Sequence, residues 1–155
     1  MTDITTAATT TIAAYAAAVA KGADPSTPRS ELVSSMTKFY LPGWTSFTLG
    51  SIVHIPNDEA TRAAIEGEFS RFDAMGLGSE VRLEDSRVER VSDHSAICFL
   101  TWTLHPKEEA PWKFTVVYGF RVAAGRPDGL VGGWEWVNAD DEYRQLLARN
   151  PKLYG

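Results

Sequence analysis

The chain has 155 residues, with 20 acidic against 15 basic side chains and a net charge of −5. It shows no basic patch of the kind a phosphate backbone demands, which excludes nucleic acid as a partner. One cysteine, Cys98, sits in an apolar run; it excludes an internal disulfide and any cysteine-based metal motif, and reads as a buried, inert thiol. The length suits a single domain, residues 1–155, with a sizeable core. The alanine-rich run Ile12–Ala20 lacks the basic flank of a secretory signal, and no run is long enough to span a bilayer. The expectation is a cytoplasmic protein with no membrane partner.

Taken in order, Ala7–Lys21 carries Ile12, Tyr15 and Val19 at helical spacing among helix-favouring alanines, with Gly22 as its cap. Thr27-Pro28 reads as an N-cap followed by a first-turn proline. It opens a helix that runs to Tyr40, buries Leu32, Val33, Met36 and Phe39, and ends at Pro42-Gly43. Trp44–Leu49 reads as a short strand, and Gly50–Pro56 as a connection with room for a strand at Ile52–Ile55. Asn57 or Asp58 caps a third helix, Glu59–Met75, whose apolar stripe is Ala64/Ile65, Phe69/Phe72 and Met75; Gly76 and Gly78 end it.

Four strands follow. Ser79–Val91 is charge-rich and the most exposed, and Ala96–His105 is apolar on both faces. Trp112–Ala123 and Leu130–Asn138 flank the turn Gly125-Arg126-Pro127-Asp128-Gly129 as a long hairpin, expected at the centre of the sheet. Asp140–Arg149 closes the chain as a short helix. Early helices and late antiparallel strands make the fold α+β. Long antiparallel strands curl, so the first three helices should cover the concave face. The central strands do not alternate apolar with polar, as a half-solvated sheet would. The outer face therefore needs a cover, and a second copy of the chain is the simplest one, which predicts a homodimer.

The element order, the phrase His54-Ile-Pro-Asn-Asp-Glu-Ala60 leading into the third helix, and Gly133-Trp-Glu-Trp136 followed by Asp140-Asp141-Glu142 together resemble the NTF2-like superfamily, and within it the SnoaL-like branch. The resemblance covers nearly the whole chain. It implies a cone-shaped cavity between a curved sheet and its helices, with frequent dimers through the outer face. Some members are cofactor-free isomerases, cyclases or dehydratases of polyketide, terpenoid or alkaloid pathways, and others only bind ligands or partners. The chain lacks the His–Asp dyad of the dehydratases, so that chemistry does not carry over.

Glu135, a carboxylate between two tryptophans, leads the candidates. Lining the cavity, it would be desolvated and suited to acid/base work; paired with Arg121, it would be structural. Tyr118 is either a substrate-orienting hydroxyl or a core tyrosine. His54, ahead of the third helix, and Lys38, at the end of the second, are expected near the cavity mouth. Trp44, Trp102 and Phe114 are expected as walls, with Tyr40, Phe72 and Arg121 completing the ligand contacts. The dispersed histidines offer no metal-ligand spacing. The expected activity is cofactor-independent isomerisation, cyclisation or elimination of a hydrophobic small molecule. The alternative is a non-catalytic binding or dimeric interaction module.

Overall fold

The computed structural model describes residues 3–77 and 80–153. Among these, the helices are α1 (Ile4–Ala20), α2 (Arg29–Thr37), α3 (Glu59–Ala74) and α4 (Asp140–Arg149). The strands are β1 (Tyr40–Thr48), β2 (Ser51–Pro56), β3 (Val81–Arg90), β4 (Ser95–Leu104), β5 (Trp112–Val122) and β6 (Gly132–Asn138). They form one curved sheet in the order β2-β1-β6-β5-β4-β3, so the β5–β6 hairpin is central, as its composition predicts. All neighbours are antiparallel except β1 and β6, which run parallel.

The inner face is the core. Ala96, Cys98, Leu100, Trp102 and Leu104 of β4 are buried on it beside Trp112, Phe114, Val116, Tyr118 and Phe120 of β5. Ile12, Tyr15 and Val19 of α1 pack down onto them. The opposite face is only half-buried at Ile97, Phe99 and Val117. Part of its cover comes from within the chain: the Arg87 guanidinium lies 4.0 Å above the Phe99 ring. That is cation–π geometry, with the arginine stem shielding the ring from water.

Boundaries differ from expectation where a side chain outside the element decides them. Asp3 accepts the Thr6 N–H at 3.2 Å, so α1 begins at Ile4 rather than Ala7. It ends at Ala20, and Gly22 falls inside a 3-10 turn, Lys21–Ala23, instead of capping the helix. The second helix stops at Thr37, and Tyr40, Pro42 and Gly43 belong to β1. Tertiary hydrogen bonds pull this segment out of the helix. The Asn57 amide donates to the carbonyls of Thr37 (2.8 Å) and Tyr40 (3.1 Å). Arg126 donates to those of Lys38 (2.7 Å) and Tyr40 (2.9 Å), and the Trp134 N–H takes that of Phe39 (2.8 Å). Pro42 is tolerated because the β1–β6 pairing is irregular between Tyr40 and Thr45, where a missing N–H breaks no ladder.

The strand allowed for at Ile52–Ile55 is present as β2 and extends to Ser51–Pro56; it is joined to β1 by the two-residue turn Leu49-Gly50, both at positive φ. Helix α3 is capped by Asp58, which accepts the Thr61 N–H at 2.9 Å. Gly78, expected to help end α3, and Ser79, the expected start of the next strand, lie outside the described residues.

The pairing of β5 with β6 carries the largest surprise. Gly119 is opposite Trp136 and Phe120 is opposite Trp134, so Glu135 is the extra residue of a β-bulge. Strict alternation puts Trp134 and Trp136 on one face; the bulge puts them on opposite faces. Trp134 is fully buried on the inner face among Tyr15, Tyr118 and Phe120. Trp136 lies on the outer face, over Gly119. A Cβ at Gly119 would stand 1.9 Å from the Trp136 indole nitrogen, so that position has room only for a hydrogen.

Candidate functional site

A cavity of about 290 Å³ opens between the inner face and the helices, near the lower end of the range for small-molecule sites. Every layer of the fold contributes to it. Helix α1 supplies Tyr15, α2 Met36, α3 Phe69 and Phe72, and α4 Glu142 and Leu146. The sheet supplies Tyr40, Trp44, Trp102, Phe114 and Tyr118. Among the described residues no lysine, arginine or histidine lines it.

Its first polar feature is a cluster of phenols. The hydroxyls of Tyr15 and Tyr40 are 3.2 Å apart. The Tyr118 ring meets Tyr15 edge-on at 5.6 Å, and Tyr15 meets Trp102 in the same way at 5.9 Å. Helical spacing on α1 aims Tyr15 inward below Thr11 and Ile12; alternation on β5 aims Tyr118 inward between Val116 and Phe120. Burial holds all three phenols well above the usual tyrosine range, and charge repulsion among them adds to the shift. All three therefore keep their hydroxyl protons throughout the neutral range.

The second feature is Glu142. Helix α4 follows β6 after the single residue Ala139, and Asp140 ties its start to the β1–β2 turn by accepting the Leu49 N–H at 2.5 Å. Asp141 accepts the β5 backbone N–H of Thr115 at 2.8 Å and hydrogen bonds from Arg144 and Gln145. These donors hold its carboxyl below the usual range despite the upward pull of partial burial. With those two acids anchored, Glu142 falls on the same side of α4 as Leu146, one turn on, and both line the cavity. Among the described residues no side chain or backbone group donates a hydrogen bond to its carboxylate. Burial, then repulsion from Glu68 and Asp141, raises its pKa to about 8. Glu68, across the cavity on α3, accepts the Tyr143 hydroxyl at 2.6 Å.

The residues singled out from sequence divide into two groups. Tyr118, Tyr40, Trp44, Trp102, Phe114 and Phe72 all line the cavity. Glu135, Arg121, His54 and Lys38 do not. Glu135 and Arg121 are brought together on the outer face at 2.5 Å, because the bulge turns Glu135 away from Tyr118. His54 is exposed on the edge strand β2, its Nδ1 2.9 Å from the Thr45 hydroxyl. Lys38, at the end of α2, reaches Asp128 at 3.1 Å. The groups missed are Tyr15, Glu68 and Glu142. Tyr15 read as one more core residue of α1. Glu142 entered only as part of the phrase Asp140-Asp141-Glu142, although its spacing of four from Leu146 marks the buried side of that helix. Among the described residues no group of three or more His, Cys, Asp or Glu side chains could hold a metal ion. No helix among them is long and apolar enough to cross a membrane.

No protein-family model and no curated protein matches the chain. Solved structures do match. An NTF-2 like protein of unknown function from Shewanella oneidensis aligns with a TM-score of 0.62 at 12% identity, over 86% of this chain and 96% of that one. Aln2 from a Streptomyces species aligns at 0.58 with 17% identity, over 94% and 96%. An NTF2-like protein from Anabaena variabilis aligns at 0.52 with 10% identity, over 89% and 91%. At such identities the likeness is one of fold, and the fold is NTF2-like: a curved open sheet wrapped around helices, with a cavity between them.

Proposed function

We propose that this chain is a cofactor-independent isomerase, cyclase or lyase of the SnoaL-like kind, a single domain working as a cytoplasmic homodimer. Its substrate is a hydrophobic small molecule, such as a polyketide-, terpenoid- or alkaloid-like intermediate, held in the aromatic cavity. One observation carries the reading: a carboxyl with no hydrogen-bond donor among the described residues, Glu142, faces the same cavity as the hydroxyls of Tyr15, Tyr40 and Tyr118. In this reading Glu142 takes the acid/base role that the strand pattern suggested for Glu135. A carboxyl whose pKa lies near the working pH both gives and takes a proton readily. The phenols donate hydrogen bonds to an oxygen on which charge builds, in a site whose walls are largely apolar.

The second reading, a non-catalytic binding module on the same fold, draws support from the placement of Glu135, His54 and Lys38 outside the cavity. A general-base probe separates the two. 5-Nitrobenzisoxazole is small, apolar and neutral, and opens when a base removes its ring proton. An enzyme-competent cavity accelerates that opening with a rate that climbs through about pH 8 and disappears in Glu142→Gln. A cavity that binds the probe and leaves its rate at the buffer value establishes the binding module instead.

A further inference from the structure

The charge balance of the cavity points to the chemical class of its ligand. Two carboxylates, Glu68 and Glu142, line it, and among the described residues no cationic side chain does. The remaining wall is largely aromatic and aliphatic. An acidic ligand entering here would meet two carboxyl groups and no cation in the lining, and would lose its own hydration as well. A neutral apolar ligand would fill the space but leave Glu142 without a hydrogen-bond donor. A protonated amine supplies both an N–H donor and a positive charge to Glu142, and aromatic faces attract the charge through their ring quadrupoles.

We infer that the ligand carries a basic nitrogen, a hydrophobic amine or ammonium ion whose charged head meets Glu142 and whose apolar body lies against the aromatic wall. The inference rests on the small-molecule reading above and narrows its substrate class to amines.

The assignment carries its own pH signature. Among the described residues the ionisable groups around Glu142 are Glu68 from α3, Asp141 and Tyr143 from its own helix, and the buried phenols of Tyr15, Tyr40 and Tyr118 from α1, β1 and β5. None is cationic, and the three buried phenols stay neutral until well above the usual tyrosine range. The Glu142 proton therefore exchanges near pH 8. In the empty cavity that proton is mostly bound at pH 7, and a cation must displace it. The ionised fraction rises from about one-tenth at pH 7 to about nine-tenths at pH 9, so affinity for a cation rises about tenfold over that interval.

The test uses the full chain and a probe that cannot itself titrate. Benzyltrimethylammonium is compared with its neutral carbon isostere, neopentylbenzene, by tryptophan fluorescence and calorimetry between pH 6 and pH 9. The expected result is an affinity for the ammonium ion at least tenfold above the isostere at pH 9, falling about tenfold by pH 7, with the isostere insensitive to pH. Glu142→Gln, nearly isosteric with the native residue, should remove both the preference and the pH dependence. Should that variant fail to fold, the pH dependence of the unaltered chain still decides. If the isostere binds as tightly as the cation at pH 9, or the preference ignores pH, the amine assignment falls while the apolar-cavity reading stands. If neither probe binds at millimolar concentration, both fall.

Discussion

The outer face of the sheet at Glu135 and the inner cavity at Glu142 treat the same side chain in opposite ways. Glu135 sits in a bulge beside a large indole, yet its carboxylate turns outward, 24% exposed, and meets Arg121 at 2.5 Å. Glu142 sits in a charge-rich helix beginning Asp-Asp-Glu, yet it faces an apolar cavity with no donor among the described residues. Neighbours in sequence would have assigned these environments the other way round. What decides is backbone geometry: one extra residue in β6 reverses the first, and the helical period reverses the second. The hydrophobic residues show the same division. Trp134 is sealed on the inner face, and Trp136 rests half-buried on the outer one.

The largest effect that would break this contrast concerns the outer face as a whole. If a second copy covers Ile97, Phe99 and Val117, sedimentation at micromolar concentration gives twice the 17.0 kDa chain mass. Phe99→Glu then yields monomers, because it places a charge in the middle of the buried patch. A wild-type chain that sediments at 17.0 kDa removes the homodimer from the proposal.

The two tryptophans come next. Trp134→Ala empties a fully buried site surrounded by Tyr15, Tyr118 and Phe120 and should cost about 3–5 kcal/mol in urea unfolding. Trp136→Ala exposes Gly119 on a half-solvated face and should cost about 1–2 kcal/mol. Equal losses would mean that the bulge does not separate the two residues as described.

Much of this was legible beforehand. The hairpin centre of the sheet, the span of α4 and most of α3 follow from period and capping. Tyr118 and the aromatic walls follow from strand alternation within β1, β4 and β5. The remainder depends on partners distant in sequence. The end of α2 is set by Asn57, Arg126 and the backbone of Trp134, none of which marks itself as a helix terminator. Pro42-Gly43 has the composition of a break, yet lies in a strand because irregular pairing there tolerates it. A bulge leaves no signature in the alternation of Gly133-Trp-Glu-Trp136, so the face of Glu135 was a matter of register. Glu142 was readable in principle, since its spacing from Leu146 is a helical one, but three consecutive acids look like a solvated helix start.

Glu142 itself gives a pH-dependent prediction of intermediate size. Its folded pKa of about 8 stands above the unfolded carboxylate value near 4.3. The folded state therefore binds the proton more tightly. The stability this provides is fully present below about pH 4 and declines as pH rises toward 8, where the folded carboxyl also ionises. Glu142→Gln removes that decline. The variant should be ahead of the wild type by about 1 kcal/mol at pH 5 and by about 4 kcal/mol more at pH 9. Urea titrations at the two pH values measure it. Parallel pH profiles for the two proteins would mean that Glu142 is solvated and that the contrast with Glu135 is illusory.

The smallest effect belongs to the ion pair on the outer face. Arg121 and Glu135 meet at 2.5 Å, and that contact raises the pKa of the guanidinium above its already high value. The Arg121 side chain is nevertheless 47% exposed, so water and salt screen the pair. A double-mutant cycle with Arg121→Ala and Glu135→Ala should return a coupling of about 0.2–1 kcal/mol, smaller still in about 1 M salt. The bulge does not depend on the pair, since backbone pairing and the seat of Trp136 over Gly119 hold it. Glu135→Gln should accordingly leave both the 5-nitrobenzisoxazole rate and ammonium binding unchanged, while Glu142→Gln abolishes them. A large loss of turnover in Glu135→Gln would reverse the assignment of the two carboxylates and put the chemistry on the outer face of the sheet.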